Sequence, residues 1–483
     1  MNKQLRRLSG TIFTMFLSLL VSATVIQVMS ADTLNNDSRN VRPVYDTYKI
    51  KRGAILVNGQ PIAESVPSKD GYSYQRVYKG KLYSAVTGFY SLYQGATGIE
   101  SASNDYLTGK NSSQFFEQIN ALFSGNPVTG GSVELTIDPK VQKVAYDALG
   151  SMHGAVVALD PSTGEILAMV STPGFDANKL AVHDGKVSGA NYQKLLSANG
   201  DPLIDKAISG SLYAPGSVFK LVVSAAAIEN GDYLPGTKIP NPRKFTLPGT
   251  TTDIQNSGEG KCGGGLTVTL ADALKLSCNI PFAQVGIKLG QGKIGDMAEK
   301  FGFGKSIKIP LVATPSVYPQ NLDDAQTALT AFGQYDVRVT PLQIAMVSSA
   351  IANGGTLMQP HLVRQVLSSN LAQLAKTSPS VFSTPVSKTT ATKLTEMMVA
   401  AVNSGVSGNG KIPGVSVAGK TGTAQNGKNA PYTLWFTGFA PAKNPKVAVA
   451  VVIADGGGMG QNGRGNSLAA PVARKVMEAV LNR

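Results

Sequence analysis

Two short motifs, Ser217-Val-Phe-Lys220 and Lys420-Thr-Gly422, each occur once in this 483-residue chain. Ser217 follows a Pro-Gly pair and precedes an apolar run, which predicts a buried helix entered through a turn. Side chains three residues apart share a helix face, so the Lys220 ammonium is expected to reach the Ser217 hydroxyl. The dipole of that helix favours negative charge developing at the hydroxyl.

A serine hydroxyl is a weak nucleophile unless a base is adjacent, and a lysine acts as a base only when its pKa is lowered. Burial and a second cation both lower a lysine pKa, and Lys420 is the candidate for that second cation. Each motif alone has an ordinary alternative, because a helical lysine three residues after a serine is usually a solvated side chain. The hypothesis of a nucleophilic serine therefore depends on the combination of motifs.

Ser-x-Asn triplets are frequent in this chain, so their position must decide which one matters. Thr269-Leu-Ala-Asp272 resembles a helix capping box, and the short helix that it opens is predicted to run to Leu276. Ile280-Pro281 then predicts the start of another helix, with proline near its first turn. Ser277-Cys-Asn279 thus lies in a tight connection between two helices, where side chains can be held rigidly at a cleft.

The ordered set of Ser217, Ser277 and Lys420 resembles the three-motif set of penicillin-recognising serine acyltransferases, which comprise penicillin-binding proteins and serine β-lactamases. The resemblance implies that Ser217 is the nucleophile and that neutral Lys220 takes its proton. It also implies that Ser277 relays a proton, and that Asn279 binds the substrate backbone and fixes Lys220. Lys420 would supply positive potential.

The same resemblance implies how the substrate is held. Thr421 and Thr423 would hydrogen-bond its terminal carboxylate, and Gly422 would let the strand approach the substrate without a side chain. The backbone N–H groups of Ser217 and Thr423 would form the oxyanion hole. No metal and no organic cofactor is expected.

The resemblance to a penicillin-binding protein transpeptidase domain covers residues 131–483. It implies an α/β (α+β) fold in which helices flank an antiparallel sheet, beside an all-helical lobe. Two apolar runs around a Pro-Ser-Thr-Gly turn predict a hairpin over residues 154–171, and Trp435 is expected in the core. Further expected elements are a helical segment at 332–345 and 351–355, strands at 435–441 and 446–453, and a helix at 467–481.

The formal charge of +14 comes without a lysine-rich run or a basic patch interleaved with aromatic residues, so nucleic acid is not an expected partner. Anionic lipids or wall polymers fit a basic surface better. The two cysteines and three histidines show no zinc-ligand spacing, and no glycine-rich phosphate loop is found at Walker spacing. The sequence has no G-x-S-x-G motif, which disfavours a Ser-His-Asp hydrolase.

The N-terminus predicts a membrane anchor. Basic residues within positions 1–9 precede an uncharged, mostly apolar stretch, which predicts a transmembrane helix over 10–31. The basic flank predicts a cytoplasmic tail over 1–9 and a catalytic domain outside the cell membrane. A cleaved signal peptide with its site near Val28-x-Ser30 is the alternative, but the apolar run exceeds the usual length for such a peptide.

Residues 32–130 are predicted to form a β-rich pedestal, with a hairpin turn at Asn58-Gly59. They resemble the dimerisation-type module of class B, monofunctional penicillin-binding proteins, in particular the smaller actinobacterial members. The resemblance includes Arg52-Gly and Gly98-Ile-Glu100, and a structural ion pair between Arg52 and Glu100 is expected. Because the segment is too short for a glycan-polymerising domain, the resemblance implies a separate partner, a polytopic membrane glycosyltransferase of the SEDS type.

The implied activity is cross-linking of peptidoglycan stem pentapeptides by acyl transfer, with acylation by β-lactams. A D,D-carboxypeptidase is an open alternative, because water and an amine compete for the same acyl-enzyme. A β-lactamase is disfavoured, since neither Glu299 nor Glu396 is followed by an asparagine four residues later. A β-lactam sensor would need further membrane helices, and a non-catalytic scaffold would predict broken motifs.

Cys262 and Cys278 are the only cysteines, and both belong to the part predicted to lie outside the cytoplasm, where disulfides persist. We predict that they form a disulfide, because the glycines at 263–265 would let the chain fold back. The bridge would hold the neighbouring Ser277 and Asn279 in place. Two separately buried thiols are the alternative.

Overall fold

The computed structural model describes residues 3–30, 50–114, 118–119, 123–125, 129–257 and 260–483. At the N-terminus, the helix Lys3–Thr24 continues into a π-helical turn, Val25–Met29. Within the described part of the chain, one helix, Lys3–Gln27, has the length and apolar composition needed to cross a bilayer.

A five-stranded antiparallel sheet forms the centre of the C-terminal unit. In spatial order its strands are Ala418–Ala424, Thr433–Ala440, Val447–Ile453, Gly154–Leu159 and Ile166–Thr172. The last two form the predicted hairpin, and Asp160 closes its turn by accepting a hydrogen bond from the backbone of Ser162. Val447–Ile453 is buried throughout, as its unbroken apolar sequence indicates for a strand covered on both faces.

Helices cover both faces of this sheet. Gly465–Leu481 and Pro139–Leu149 pack on one face, and Pro341–Ala352 packs on the other. The helix Gly465–Leu481 confirms the helix predicted at 467–481. The strands Thr433–Ala440 and Val447–Ile453 confirm those predicted at 435–441 and 446–453. The prediction of a helical segment over 332–345 is wrong for its first nine residues, because the helix begins only at Pro341. Thr340 caps this helix, and Pro341 has no backbone N–H that could donate to a preceding helical turn.

A helical lobe lies beside the sheet. Its central helix, Lys220–Glu229, is buried along almost its whole length, which explains why its sequence is apolar on every face. The other α-helices of the C-terminal unit are Gly185–Leu196, Leu270–Lys275, Asn279–Lys300, Asp324–Thr330 and Lys388–Ser404. Short strand pairs are Lys238–Pro240 with Thr267–Thr269, Lys244–Thr246 with Asp253–Gln255, Ile307–Lys308 with Val312–Ala313, and Leu357–Met358 with Val381–Ser383.

The pedestal contains a six-stranded sheet. Its strands in spatial order are Gln373–Lys376, Val363–Leu367, Ser132–Leu135, Ile55–Val57, Gln60–Pro67 and Tyr74–Tyr78. The predicted hairpin turn at Asn58-Gly59 is confirmed, with positive φ angles of 49° and 69°. Three of the six strands come from residues after 131, so the predicted boundary between 130 and 131 falls just before a strand of this sheet. The pedestal also contains the short helices Ser84–Thr87, Gly98–Ala102 and Asn104–Leu107, the 3-10 helix Ser112–Gln114, and a strand pair, Tyr90–Ser91 with Gly95–Ala96.

The predicted ion pair between Arg52 and Glu100 is confirmed and lies in the pedestal interior. Arg52 Nε is 2.6 Å from Glu100 Oε2, and Arg76 Nε is 2.6 Å from Glu100 Oε1. The Tyr78 hydroxyl donates to the same carboxylate at 3.0 Å. Burial alone would raise the pKa of Glu100, but the two arginines outweigh it and hold that pKa below its ordinary value.

Candidate active site

A cleft of about 740 Å³ opens between the sheet edge strand, Ala418–Ala424, and the helical lobe. Ser217, Asn279 and Thr423 line it. Lys220 and Lys420 are fully buried and reach the same region through hydrogen bonds. The structure therefore brings together the motifs that begin at Ser217, Ser277 and Lys420, although the first and the last are about two hundred residues apart in sequence.

Ser217 lies in a 3-10 turn, Gly216–Val218, immediately before the helix Lys220–Glu229. Gly216 N donates to Gly333 O at 2.9 Å, and a Cβ atom on Gly333 would lie 2.0 Å from Gly216 O. The lack of a side chain at Gly333 is thus required by this close approach. Ser217 is half-buried, and no described residue is hydrogen-bonded to its hydroxyl, so that the hydroxyl is available to a ligand in the cleft.

The Lys220 ammonium is directed to the connection that contains Ser277. Its Nζ donates to Ser277 O at 2.8 Å and to Asn279 Oδ1 at 2.9 Å, and it lies 3.5 Å from Ser277 Oγ. The structure differs here from the expected hydrogen bond between Lys220 and Ser217, because these acceptors engage the ammonium instead. Catalytic hydrogen bonds often shorten only when substrate binds.

The two buried lysines converge on the Ser277 hydroxyl. Lys420 Nζ donates to Ser277 Oγ at 2.7 Å and to Thr421 O at 2.8 Å. Burial lowers the pKa of Lys420 to about 7. Burial, assisted by the charge of Lys420, holds the pKa of Lys220 well below its ordinary value. Lys220 is therefore suited to be the neutral member of the pair and so to accept a proton.

The connection that carries Ser277 has an unusual backbone. Ser277 has a φ of +60°, a conformation that costs a residue other than glycine about 1 kcal/mol or more. Cys278 N donates to Ala273 O at 2.9 Å, and Cys278 is joined to Cys262 by a disulfide. These covalent and hydrogen-bonded restraints hold the conformation that directs the Ser277 hydroxyl to the two lysines.

The strand Ala418–Ala424 supplies the opposite wall of the cleft. Thr423 lines the cleft, and its Oγ1 accepts from Gly465 N at 3.3 Å. Thr421 is buried instead, with its hydroxyl 3.2 Å from that of Ser407. Of the two threonines expected to bind a carboxylate, Thr423 is therefore the one on the cleft surface.

Gly422 allows the strand to approach the nucleophile turn. A Cβ atom at this position would lie 2.9 Å from Pro215 O and 3.2 Å from Val218 Cγ1. The family resemblance implies that this glycine allows an approach to substrate, whereas the close contact in the structure is with the turn that carries Ser217. Trp435 pairs with Gly422 in the neighbouring strand and is fully buried, which confirms its predicted place in the core.

The family that describes the penicillin binding protein transpeptidase domain matches residues 154–478 of this chain. The chain belongs to that family. A second family, the penicillin binding protein A dimerisation domain, matches residues 52–133.

Similar proteins agree with this membership of the penicillin-binding proteins. The peptidoglycan D,D-transpeptidase PbpA of Mycolicibacterium smegmatis is 41% identical over 100% of this chain and 99% of its own length. The protein of the same name from Mycobacterium tuberculosis H37Rv is 40% identical over the same shares. The ceftriaxone acyl-enzyme complex of penicillin-binding protein A from M. tuberculosis has a TM-score of 0.87 and is 39% identical, covering 90% of this chain and 100% of that one.

Two residues of this penicillin-binding protein that support the site were missed in the sequence. Asn256 is buried, and its Oδ1 accepts from the backbone N–H groups of Asn279 at 2.9 Å and Ile280 at 3.0 Å. It thereby holds the first residues of the helix that carries Asn279. Ser407 Oγ accepts from Thr421 N at 3.1 Å and supports the strand Ala418–Ala424. No sequence pattern around either residue indicates a role in the site, although Ser407 begins one of the frequent Ser-x-Asn triplets.

The disulfide leads to a prediction about stability. Replacing both Cys262 and Cys278 by serine is expected to lower the free energy of unfolding by about 3 kcal/mol, because the bridge restricts the unfolded chain. Denaturant titration of the wild-type and double-variant proteins measures the difference. In addition, thiol titration of the unreduced, denatured wild-type protein should find no free thiol, and the same titration after reduction should find two. Two thiols before reduction would reject the bridge.

Proposed function

We propose that this penicillin-binding protein is a peptidoglycan D,D-transpeptidase that cross-links stem pentapeptides through an acyl-enzyme on Ser217. The observation that carries the proposal is the convergence of Lys220 and Lys420 on the Ser277 hydroxyl, beside a half-buried Ser217 in the cleft. This arrangement offers a nucleophile, a base of lowered pKa and a relay. The relatives named peptidoglycan D,D-transpeptidase supply the substrate class.

In the first step, Ser217 Oγ attacks the carbonyl carbon between the two terminal D-alanines of the stem peptide. The proton of the hydroxyl passes to neutral Lys220, whose lowered pKa favours the free amine. An ester bond forms and the carbon–nitrogen bond breaks. The leaving D-alanine nitrogen receives that proton from Lys220 through Ser277, whose hydroxyl is 3.5 Å from Lys220 Nζ and 2.7 Å from Lys420 Nζ, so that Lys220 is neutral again.

In the second step, an amine of another stem peptide attacks the ester. The amine gives one proton to neutral Lys220 as the new amide forms. The ester bond breaks, and Lys220 passes that proton to the Ser217 oxygen, which restores the hydroxyl. The two steps require no oxidant, reductant or added cofactor. The product is a cross-link between two stem peptides.

The proposed substrate contacts use the strand wall and the lobe wall. The N–H groups of Ser217 and Thr423 would stabilise the oxyanion, and support comes from the close packing of Gly216 against the main chain of Thr423. Thr423 would receive the terminal carboxylate in the positive potential of Lys420, whereas the Thr421 hydroxyl is buried against Ser407. Asn279 lines the cleft and accepts from Lys220 Nζ, so its amide would bind the substrate backbone and position Lys220.

A D,D-carboxypeptidase would use the same first step and differ only in the acceptor. The test is to measure D-alanine release and dimer formation from a D-Ala-D-Ala peptide, with and without a diamino acid peptide as acceptor. A transpeptidase is expected to form dimer in proportion to the acceptor, while D-alanine release continues. Release of D-alanine without dimer at saturating acceptor would favour the carboxypeptidase, and no release at all would favour a scaffold.

We also propose the membrane arrangement predicted from the sequence. Residues 1–9 are cytoplasmic, residues 10–31 span the cell membrane, and the catalytic domain lies outside. Support comes from the apolar helix Lys3–Gln27 and from the basic residues before its apolar part. Because no glycan-polymerising domain fits in residues 32–130, a polytopic SEDS-type glycosyltransferase is the proposed partner for glycan synthesis.

Deleting residues 1–31 is expected to give a soluble protein that still reacts with penicillin at an unchanged rate. The reason is that the side chains of the apolar helix are exposed and that none of its described residues lines the cleft. Labelling with fluorescent penicillin, compared with the full chain in detergent, measures the rate. A truncated protein that is folded by circular dichroism but does not react would show that the anchor belongs to the active architecture.

A further inference from the structure

Arg464 is a charged residue of the active-site cleft that has no part in the steps proposed above. Asp253 and Arg464 are the two charged residues in the described lining of that cleft. Asp253 is already paired, because its carboxylate accepts from Thr246 Oγ1 at 2.8 Å and lies 3.7 Å from Lys244 Nζ. Arg464 is exposed and forms no ion pair with any described residue. Its positive charge is therefore available to a ligand in the cleft.

The Arg464 guanidinium is held by its own loop and by an aromatic ring. Nη1 donates to Gln461 O at 2.7 Å and to Gly463 O at 2.8 Å, and the guanidinium carbon lies 5.7 Å from the centre of the Tyr432 ring. Tyr432 also lines the cleft. Nε and Nη2 donate no hydrogen bond to any described residue. Because the hydrogens of these two nitrogens point in the same direction, they form the fork that binds both oxygens of a carboxylate.

Arg464 is positioned by contacts on both sides of it in the chain. Before it, Gln461 Nε2 donates to Lys428 O at 2.9 Å, which joins the loop before Arg464 to the loop that contains Lys428. After it, Gly465 N donates to Thr423 Oγ1 at 3.3 Å. Arg464 is therefore held at a defined place beside the strand that carries Thr423. A cation that is already fixed loses little conformational entropy when it binds a ligand.

Lys420, Thr423 and Tyr432 mark successive positions along the strand wall of the cleft. Thr433 pairs with Ala424, the last residue of the strand, so Tyr432 lies just beyond the end of that strand. The proposed mechanism places the terminal carboxylate in the potential of Lys420 and the scissile carbonyl at the N–H of Thr423. A substrate that lies along this strand would therefore place its acyl part, on the other side of that carbonyl, near Tyr432 and the guanidinium over its ring.

We propose that Arg464 determines specificity by binding a second carboxylate of the substrate, on the acyl side of the scissile bond. This role rests on the proposed transpeptidase function and specifies its substrate class, a stem peptide in which the diamino acid before D-Ala-D-Ala has a free side-chain carboxylate. Nε and Nη2 of Arg464 would donate to the two oxygens of that carboxylate. A carboxamide at the same place has one oxygen and no charge, so it would bind less tightly.

The first test compares three penicillins that differ only in the group on the carbon next to the side-chain carbonyl. Benzylpenicillin has a hydrogen there, carbenicillin a carboxylate and ampicillin an ammonium. The second-order rate constant of acylation is measured with the full chain in detergent, and the values for carbenicillin and ampicillin are divided by that for benzylpenicillin. In Arg464→Gln the relative rate of carbenicillin should fall about tenfold, because two charge-assisted hydrogen bonds are lost. In Arg464→Glu it should fall further, and the relative rate of ampicillin should rise.

The second test makes the same comparison with wall peptides. Two D-Ala-D-Ala peptides, with the side-chain carboxylate of the preceding diamino acid free or amidated, are compared by D-alanine release. The wild-type protein should have the higher kcat/KM for the free carboxylate, and Arg464→Gln should lower this preference about tenfold. Arg243→Gln is the matched control, because Arg243 is exposed and lies outside the described lining of the cleft, and it should keep the wild-type ratios.

The outcomes separate this role from the proposed function. Unchanged ratios in Arg464→Gln, or a wild-type protein without preference between the two peptides, would overturn the role, while acylation by benzylpenicillin would still support the proposed function. An equal loss of rate for all three penicillins would also overturn it, because that result assigns Arg464 to the carboxylate that they share. A wild-type protein that reacts with none of them would reject the proposed function itself. The wild-type comparison needs no variant, so it decides the matter even if a variant does not fold.

Discussion

Ser217→Ala is expected to abolish the covalent adduct that the wild-type protein forms with penicillin. The strained β-lactam carbonyl mimics the D-Ala-D-Ala carbonyl, so the adduct should be an ester on the nucleophile. Ser217 lines the cleft at the start of the helix that carries Lys220, while the Ser277 hydroxyl is held by Lys420 at 2.7 Å. Intact-mass spectrometry after mixing measures the adduct, and the wild-type protein should gain one penicillin mass.

Ser224→Ala is the matched control for this change. Ser224 lies on the helix that follows Ser217, is fully buried, and its hydroxyl has no hydrogen-bond partner among the described residues. The control variant also removes a serine hydroxyl, from the helix that follows the Ser217 turn, and should form the adduct normally. An adduct that persists in Ser217→Ala would assign the nucleophile to another residue.

Lys220→Ala is expected to slow acylation by penicillin at least ~10²-fold, which is the usual contribution of a general base. Burial and the charge of Lys420 lower the pKa of Lys220, which favours its free amine. Stopped-flow measurement of the acylation rate over a range of pH gives a readout that a structural role would not produce. The wild-type rate should rise with pH as Lys220 loses its proton, and the variant should lack that rise.

Two further variants separate the chemistry of Lys220 from its packing. Lys220→Arg keeps a cation but cannot act as a base near neutral pH, so it should be slow as well. Lys206→Met removes another buried lysine, one outside the cleft, and should acylate at close to the wild-type rate. A near-normal rate in folded Lys220→Ala would mean that Lys220 only positions Ser277 and Asn279.

The sequence was sufficient where local rules decide the structure. The turn at Asn58-Gly59, the cap at Thr269 and the hairpin over residues 154–171 each depend on neighbouring residues, and the structure contains all three. The apolar run after Ser217 likewise gives a buried helix. The order of the motifs then implied the family, and the family implied that Ser217, Ser277 and Lys420 meet.

Contacts between distant parts of the chain could not be derived in this way. Asn256 supports the start of the helix Asn279–Lys300 from more than twenty residues away, and Ser407 supports the strand of Lys420 from a loop. The sequence also does not show which acceptors bind the Lys220 ammonium, which the structure identifies as Ser277 O and Asn279 Oδ1. For the same reason, the strands Val363–Leu367 and Gln373–Lys376 join the pedestal sheet although they lie far from it in sequence.

The most direct test of the central claim is to trap the acyl-enzyme formed from the wall peptide itself. The full-length protein is mixed with a D-Ala-D-Ala peptide without acceptor, quenched in acid within milliseconds to seconds, and analysed by intact-mass spectrometry and peptide mapping. A mass gain equal to the peptide less one D-alanine, located on Ser217, is the result that we expect. D-alanine release without any covalent intermediate, or an acyl group on another residue, would contradict serine acyl transfer at this site.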